Sequence, residues 1–586
     1  MHERQGAARR RHHDPSPRGR PLGRIVGLFL GLAAVLPLAW GGTAAAAPER
    51  DAPPSDRMAV VADMQPSWNL GNTLDAIPDE TSWGNPPVTK ALFDAVKAKG
   101  FRSVRIPVTW NGHQSATAPY TIDPAFMQRV KQIVDWALAD GLYVVLNVHH
   151  DSWQWIDDLP TDHDTVRDRF DATWRQITST FRDEPRKLLF ESVNEPFFED
   201  ITDAEKTRLL HELNTTFHRI VRSSGGGNTD RLLVLPTLGT TPSKPLMDDL
   251  AATMSSLNDD NLVATVHYYG FWPFSVNVAG YTTFEDTSKK DMDTAFGLMH
   301  DTFVAKGIPV YLGEYGLFGF PPVDSDPYVV ERGEALKCFE RLGHTARLNG
   351  VTTALWDPYQ YINRKTLRWR DPELIDWIMS SYTTRSGTAS SDQVYVPASG
   401  TITARTLTLD LNGTTFRGLW QGGRPLLRGR DYTLSGDRLR LTAQALTRLA
   451  GDRSHGVRAT VEARFSKGRP WKIDIISSEV PVFSAATGTT TGSLTVPTRF
   501  RGDQLATMSS QYADGTPAGP ISWSTFQMFG PQFEPDYTAG TLTLTSDYLS
   551  ALKDGETATL TFHFWSGAKV TYHVTRNGSE VTGAAS

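Results

Sequence analysis

The rhythm of hydrophobic positions changes along this chain. From Trp68 to about Tyr382, short apolar runs alternate with longer stretches whose apolar residues recur every three or four positions. The short runs read as strands buried on both faces, and the longer ones as amphipathic helices packed over them. Trp68–Gly71, Ser103–Pro107, Tyr143–Val148, Leu188–Glu191, Leu232–Leu235, Val263–His267, Val310–Gly313 and Thr353–Trp356 give eight strand candidates, with helices predicted over Lys90–Lys99 and Pro124–Ala139. Helical crossovers force parallel pairing. Eight such units predict a closed (β/α)8 TIM barrel over residues 58–382. An open doubly wound sheet is the alternative, and the polar residues argue against it. Asn72, Arg105, His149, Glu195, His267, Glu314 and Trp356 each fall at or just past the end of a different strand. That is the rim on which barrels carry chemistry.

Residues 383–391, Thr-Thr-Arg-Ser-Gly-Thr-Ala-Ser-Ser, break the pattern and read as a linker. Beyond them the period becomes two, as in Leu407-Thr408-Leu409-Asp410-Leu411, which predicts an all-β tail. The tail repeats. Asp431-Tyr432-Thr433, Gly436, Leu439, Leu441, Thr442, Leu446 and Leu449 recur as Asp536-Tyr537-Thr538, Gly540, Leu542, Leu544, Thr545, Leu549 and Leu552. Two related immunoglobulin-like β-sandwich modules are expected, over 392–480 and 481–583.

The amino terminus has a third character. Arg9-Arg10-Arg11 and further arginines precede an apolar run from Ile25 to Trp40, followed by Thr43-Ala44-Ala45-Ala46-Ala47-Pro48. This is the order of an export signal, expected over residues 1–46, and the run is short for a span of about 20 residues. The expected product is secreted and extracellular, free of the membrane after cleavage, with cell-wall association open.

Composition refines this picture. A chain of 586 residues is too long for one core. Its net charge is −6, with no sustained basic stripe after the first fifty residues, so nucleic acid is not an expected partner. Cys338 is the only cysteine, which removes any intramolecular disulfide and suits a small buried hydrophobe.

The candidate chemistry lies in two carboxylates. Glu195 follows the apolar run Leu188-Leu189-Phe190, and Glu314 closes Leu312-Gly313-Glu314 on a strand three further along. Across a barrel mouth, such a pair can approach the roughly 5–5.5 Å separation of a retaining glycosidase. Arg105 could donate a charged fork to Glu314, Tyr269 could bond the same carboxylate, and His149 and His267 could contact sugar hydroxyls or tune Glu195. Trp356 could form a floor for a pyranose ring. Trp83, Trp110, Trp153 and Trp155 divide between sugar-stacking and core roles. His149-His150-Asp151 invites a metal reading, but neighbouring strand residues point to opposite faces, so the two rings are expected to diverge. No metal and no cofactor are expected.

As a set, Trp68-Asn69-Leu70-Gly71-Asn72-Thr73-Leu74-Asp75, Val104-Arg105-Ile106-Pro107, His149-His150-Asp151, Val193-Asn194-Glu195-Pro196, His267-Tyr268-Tyr269 and Gly313-Glu314-Tyr315-Gly316 resemble glycoside hydrolase family 5, in the family's order. The resemblance implies a retaining mechanism with Glu195 as acid/base and Glu314 as nucleophile. It implies supporting roles for Arg105, His149, Asn194, His267, Tyr269 and Trp356, with Asn72 and His150 in the same blocks completing the candidate substrate-binding set. The first two blocks are most like the family's endoglucanases, so the expected activity is a β-1,4-glucanase acting on cellulose or a related β-glucan. Mannan, xyloglucan and mixed-linkage glucan are alternative substrates, and a non-catalytic polysaccharide-binding protein is the alternative class. The β modules resemble X2-type modules of cellulases, which implies cellulose or cell-wall binding, with a spacer role as the alternative.

Overall fold

The computed structural model describes residues 56–322 and 328–586; the expected export signal lies outside the described residues. Eight parallel strands close on themselves in sequence order: β1 (Ser67–Asn69), β2 (Ser103–Ile106), β3 (Tyr143–Asn147), β4 (Leu188–Glu191), β5 (Leu233–Pro236), β6 (Leu262–Tyr268), β7 (Val310–Tyr315) and β8 (Val351–Leu355). The expected barrel is present, and the helices Lys90–Lys99 and Pro124–Ala139 form over the predicted spans.

Strand alternation sorts the barrel's side chains into two layers. Val104, Ile106, Val144, Leu146, Leu188, Phe190, Leu233, Leu235, Val266 and Leu312 join the core beneath the surrounding helices. Tyr143, Val145, Leu189, Val234, Val263, Tyr311 and Ala354 make a separate apolar cluster, to which the short helix Arg57–Asp63 adds Val60 and Val61. At the other end of the strands the same alternation yields polar residues. Asn69 and Arg105 are register partners, as are Asn147 and Glu191, and all four are fully buried.

Beyond the barrel lie two related β-sandwiches, alike in their four-stranded sheets and different in the strand order of their five-stranded ones. The first pairs a four-stranded sheet, ordered Thr388–Ala389, Arg405–Asp410, Arg438–Leu441, Tyr432–Ser435, with a five-stranded one. The second repeats the four-plus-five plan, and each sandwich carries one short helix, Ala443–Ala450 and Ser546–Ser550. The segment read as a linker is part of this architecture rather than a free tether. Thr388–Ala389 pairs with Leu409 and Asp410, Ser386 is buried, and a side chain at Gly387 would run into the Phe465 ring. Its polar composition misleads because its hydrogen-bonding groups are satisfied by neighbours: Arg385 forks onto Glu340 at 2.6 and 2.9 Å, and Lys337 Nζ reaches the Ser390 carbonyl at 2.9 Å.

Both sandwiches lie against the barrel. Trp471 of the first meets Trp377 edge to face at 5.8 Å, and Lys472 pairs with Glu373 at 2.8 Å. The hydrophobic core runs without interruption from the barrel into this module, from Trp68 to Ile475. The second module keeps a core of its own and grips the segment after β6. Asn277 Nδ2 donates to the Ala506 carbonyl at 2.8 Å, and Phe529 N donates back to the Asn277 carbonyl at 3.2 Å. Among the described residues, no helix is long and apolar enough to cross a membrane.

Candidate active site

Arg105 is the centre from which the site is built. It is fully buried and makes five hydrogen bonds. The fork closes on Glu191, with Nε to Oε2 at 2.6 Å and Nη2 to Oε1 at 2.8 Å. Nη1 donates singly to Glu314 Oε1 at 2.8 Å and to Asn69 Oδ1 at 3.2 Å, and Nη2 also reaches Asn194 Oδ1 at 2.8 Å. The expected fork onto Glu314 is thus a single bond, because Glu191, also inward-facing at the end of β4, takes the bidentate edge. Burial alone would drive a guanidinium toward neutrality, but the charges of Glu191 and Glu314 outweigh it and hold Arg105 ionised.

Glu314 is aimed by a break in the β7 ladder. The pairing of β6 with β7 shifts between Val266 and His267, and that of β7 with β8 between Leu312 and Tyr315. An irregularity of this kind redirects a side chain. The Tyr269 hydroxyl donates to Glu314 Oε2 at 2.6 Å. Burial and the carboxylate beside it raise the phenol well above its ordinary range, so Tyr269 stays protonated as a donor. Gly313 gives way to this cluster. A β-carbon there would stand 2.9 Å from Thr265 Oγ1 and 3.0 Å from His267 Nε2.

Glu195 sits four residues past the end of β4 at φ 42°, a left-handed conformation that costs a residue with a β-carbon about 1–2 kcal/mol. Its Oε1 meets His267 Nδ1 at 2.8 Å, and the same ring nitrogen lies 3.7 Å from Glu314 Oε2. One oxygen of Glu195 and one of Glu314 lie within 4.8 Å of each other. Desolvation pushes the Glu195 carboxyl up, but the hydrogen bond and charge of His267, with the charge of Arg105, bring it below its ordinary value. These neighbours favour the ionised form of Glu195.

His149 is buried. Its Nδ1 lies 3.0 Å from the Asn147 amide nitrogen, and its Nε2 is 4.0 Å from Glu314 Oε1. Burial, then the neighbouring His150, Arg105 and His267, depress its pKa well below the ordinary value and keep it neutral. Contrary to the sequence expectation, the two rings converge, with centroids 4.5 Å apart. β3 stops at Asn147, so His149 and His150 lie past the strand, where alternation no longer holds. With Asp75 they gather three ligand-type atoms within 4.8 Å. However, the Trp153 indole donates to His150 Nδ1 at 3.0 Å, so the ring proton belongs on Nε2, which faces Asp75 Oδ2 at 3.5 Å. Such a nitrogen is a donor rather than a metal ligand. Trp356 lies parallel to His149 with centroids 5.8 Å apart, and Gly71 lets its ring approach the turn after β1. Asn72 lies on that turn with its amide bonded to Asp75 Oδ2 at 3.0 Å, and its side chain makes no hydrogen bond to the carboxylate cluster. The four tryptophans divide: Trp110 and Trp155 are buried, Trp153 is 52% exposed, and Trp83 rests on His150.

Residues 70–360 match the family model described as cellulase, glycosyl hydrolase family 5. Endoglucanase B of Paenibacillus lautus is 46% identical over 540 residues, covering 91% of this chain and 94% of that protein. The chain belongs to glycoside hydrolase family 5. It is therefore an O-glycosyl hydrolase of a retaining family. The structure is also similar to those of a tri-modular endo-β-1,4-glucanase B from Bacillus halodurans (TM-score 0.88, 44% identity, 91% of this chain and 99% of that one) and a tri-modular subfamily 4 enzyme from Bacillus licheniformis (TM-score 0.76, 30% identity, 90% and 99%). Residues 388–475 match the carbohydrate-binding domain X2, and residues 479–584 match a different carbohydrate-binding family, 46. The two modules share a fold but answer to separate families. In this family 5 site, sequence reasoning missed Glu191, Asn69 and Asn147. For Glu191 and Asn147 the signal was available, since each is the polar last residue of an otherwise apolar strand, whereas Asn69 lies on a three-residue strand that also holds Ser67.

Proposed function

We propose that this chain is a secreted endo-β-1,4-glucanase that hydrolyses cellulose or a related β-glucan by double displacement, with Glu314 as nucleophile and Glu195 as acid/base. The observation that carries the assignment is the pair of carboxylates within 4.8 Å, one fixed by two donors and the other bonded to a histidine. Glu314, oriented by Arg105 and Tyr269, attacks the anomeric carbon while Glu195, protonated, delivers its proton to the departing glycosidic oxygen. Glu195 then takes a proton from water, which displaces Glu314 and restores both groups. Asn194 spends its carbonyl oxygen on Arg105, leaving its NH2 for a substrate hydroxyl, and the neutral His149 presents Nε2–H toward the same space. Trp356 supplies the apolar surface for the ring, with His150 and Asn72 on the adjacent rim. The β modules hold the enzyme on polysaccharide.

Reducing-sugar release from carboxymethyl-cellulose is the test. Glu314→Ala and Glu195→Ala should each lose more than a factor of about ten, equivalent to about 1.4 kcal/mol, with an unchanged circular-dichroism spectrum. Azide should rescue the Glu314 variant with an inverted product and the Glu195 variant with a retained one. Retention of wild-type rate in either variant would remove that residue from the mechanism.

A further inference from the structure

Charge is unevenly divided among the three parts of the molecule. Residues 56–387 hold 32 Lys/Arg against 45 Asp/Glu, and residues 479–584 hold five against nine. Residues 388–475 hold 14 against seven, a surplus of +7 inside a chain whose total is −6. The second module repeats the four-stranded sheet with the same strand order and the opposite net charge, so this sheet does not require the positive charge. Only the division into modules makes it visible, since the arginines are scattered in sequence.

Part of the surplus is structural. Arg430 and Arg448 both close on buried Asp431, and Arg464 pairs with Glu462 while lying over Trp420. Arg438 and Arg440 are different. They are the exposed positions of a strand whose alternate residues, Leu439 and Leu441, are buried. Arg440 stands between Thr406 and Thr433, and Arg438 between Thr408 and Ser435. The two arginines point the same way about 7 Å apart. Neither has an ion-pair partner among the described residues, although Asp410 and Asp437 border the face. Arg428 joins the same edge, its Nη2 donating to the Leu434 carbonyl at 3.3 Å. The strand positions on this face are Thr, Ser, Arg and, at its end, Asp410, with no aromatic ring for stacking on a neutral sugar.

Flat, hydroxyl-lined surface with unpaired guanidinium groups suits carboxylates, which match the guanidinium fork. We infer that this face of the first β module docks an acidic, uronate-bearing polysaccharide. The inference rests on the reading of the module as polysaccharide-binding and gives that ligand a chemical class. A carboxylated glycan fits better than duplex nucleic acid, which carries one charge per about 1.7 Å. The negative barrel and second module would repel so dense a polyanion along its length, whereas a single glycan strand with at most one carboxylate per sugar meets less opposition.

Affinity electrophoresis of the full chain through gels containing polygalacturonate tests this. Wild type should be retarded, and Arg438→Gln/Arg440→Gln should weaken binding about tenfold. Salt raised to about 0.3 M should weaken it too. An Arg499→Gln/Lys569→Gln control in the second module should bind as wild type, and all three proteins should hydrolyse neutral soluble glucan at equal rates. Absence of retardation, equal retardation of wild type and the double variant, or equal arginine-dependent retention by duplex DNA would each overturn the inference. Loss of glucan hydrolysis by the wild type with retardation intact would instead sink the glucanase reading and leave this one standing.

Discussion

Arg105 carries one positive charge and spends it on two buried carboxylates. Glu191 therefore governs how much of that charge Glu314 feels. Glu191→Gln keeps the shape but gives up the charged fork that orients the guanidinium, so Nη1 is held less firmly toward Glu314. kcat/KM should fall by more than about tenfold, about 1.4 kcal/mol in the barrier, with an unchanged circular-dichroism spectrum. An unchanged rate would reduce Glu191 to a packing role. The basic limb of the pH profile belongs to Glu195, which must be protonated to act as an acid. His267 lowers its pKa, so His267→Asn should let it rise and carry the basic limb to higher pH, with kcat reduced. A fixed basic limb would break the link between His267 and Glu195. Glu195, Glu314 and Arg105 are legible in the sequence because polar residues at the ends of apolar runs stand out. Glu191 carries the same signal, but its pairing with Arg105 is not legible, because that depends on barrel closure, which turns the inward positions of β2 and β4 toward one axis.

At the scale of elements, β6 and β7 are held at a distance that only glycine permits. Gly313→Ala would push a methyl group against Thr265 and His267. It should lower kcat by more than about tenfold, a barrier increase above about 1.4 kcal/mol, while far-ultraviolet circular dichroism stays the same. The helix Arg332–Asn349 raises a different issue at its start, where Glu331 caps Glu334 N at 3.0 Å. Burial and the hydrogen-bonded Glu331 raise the carboxyl of Asp392, from the first β module, well above its ordinary value, and Glu334 and Asp474 add to the effect. A raised carboxyl pKa means the folded state holds a proton that the unfolded chain has released. The resulting cost is absent below the ordinary Asp value of 3.8 and grows as pH rises through the folded value. Asp392→Asn should accordingly raise Tm at neutral pH and leave it unchanged near pH 3; a Tm that falls at both would refute this. The barrel strands could be read to within a residue or two because alternation and helical period differ so sharply. Residues 383–391 could not, because Ser, Thr and Gly suit an edge strand in a seam as well as they suit a tether.

At the scale of the molecule, the barrel and its first module share one hydrophobic core, and the second module has its own. Sequence marks three parts; apolar packing joins two of them. A cut after Ser386 would uncover Trp377 and take Lys472 from Glu373 and Arg469 from Asp376, so the isolated barrel should be less stable than the full chain. A cut after Ser478 should preserve most of that stability. Calorimetry reads this directly, because groups that share a core lose it in one step. The full chain should melt in two transitions, a larger one for residues 56–478 and a smaller one for residues 479–586, rather than in three. The units in which this enzyme loses its structure would then differ from the units in which its sequence is written, and a thermally stressed sample would shed order in its terminal module while the barrel and the sandwich fused to it still stand.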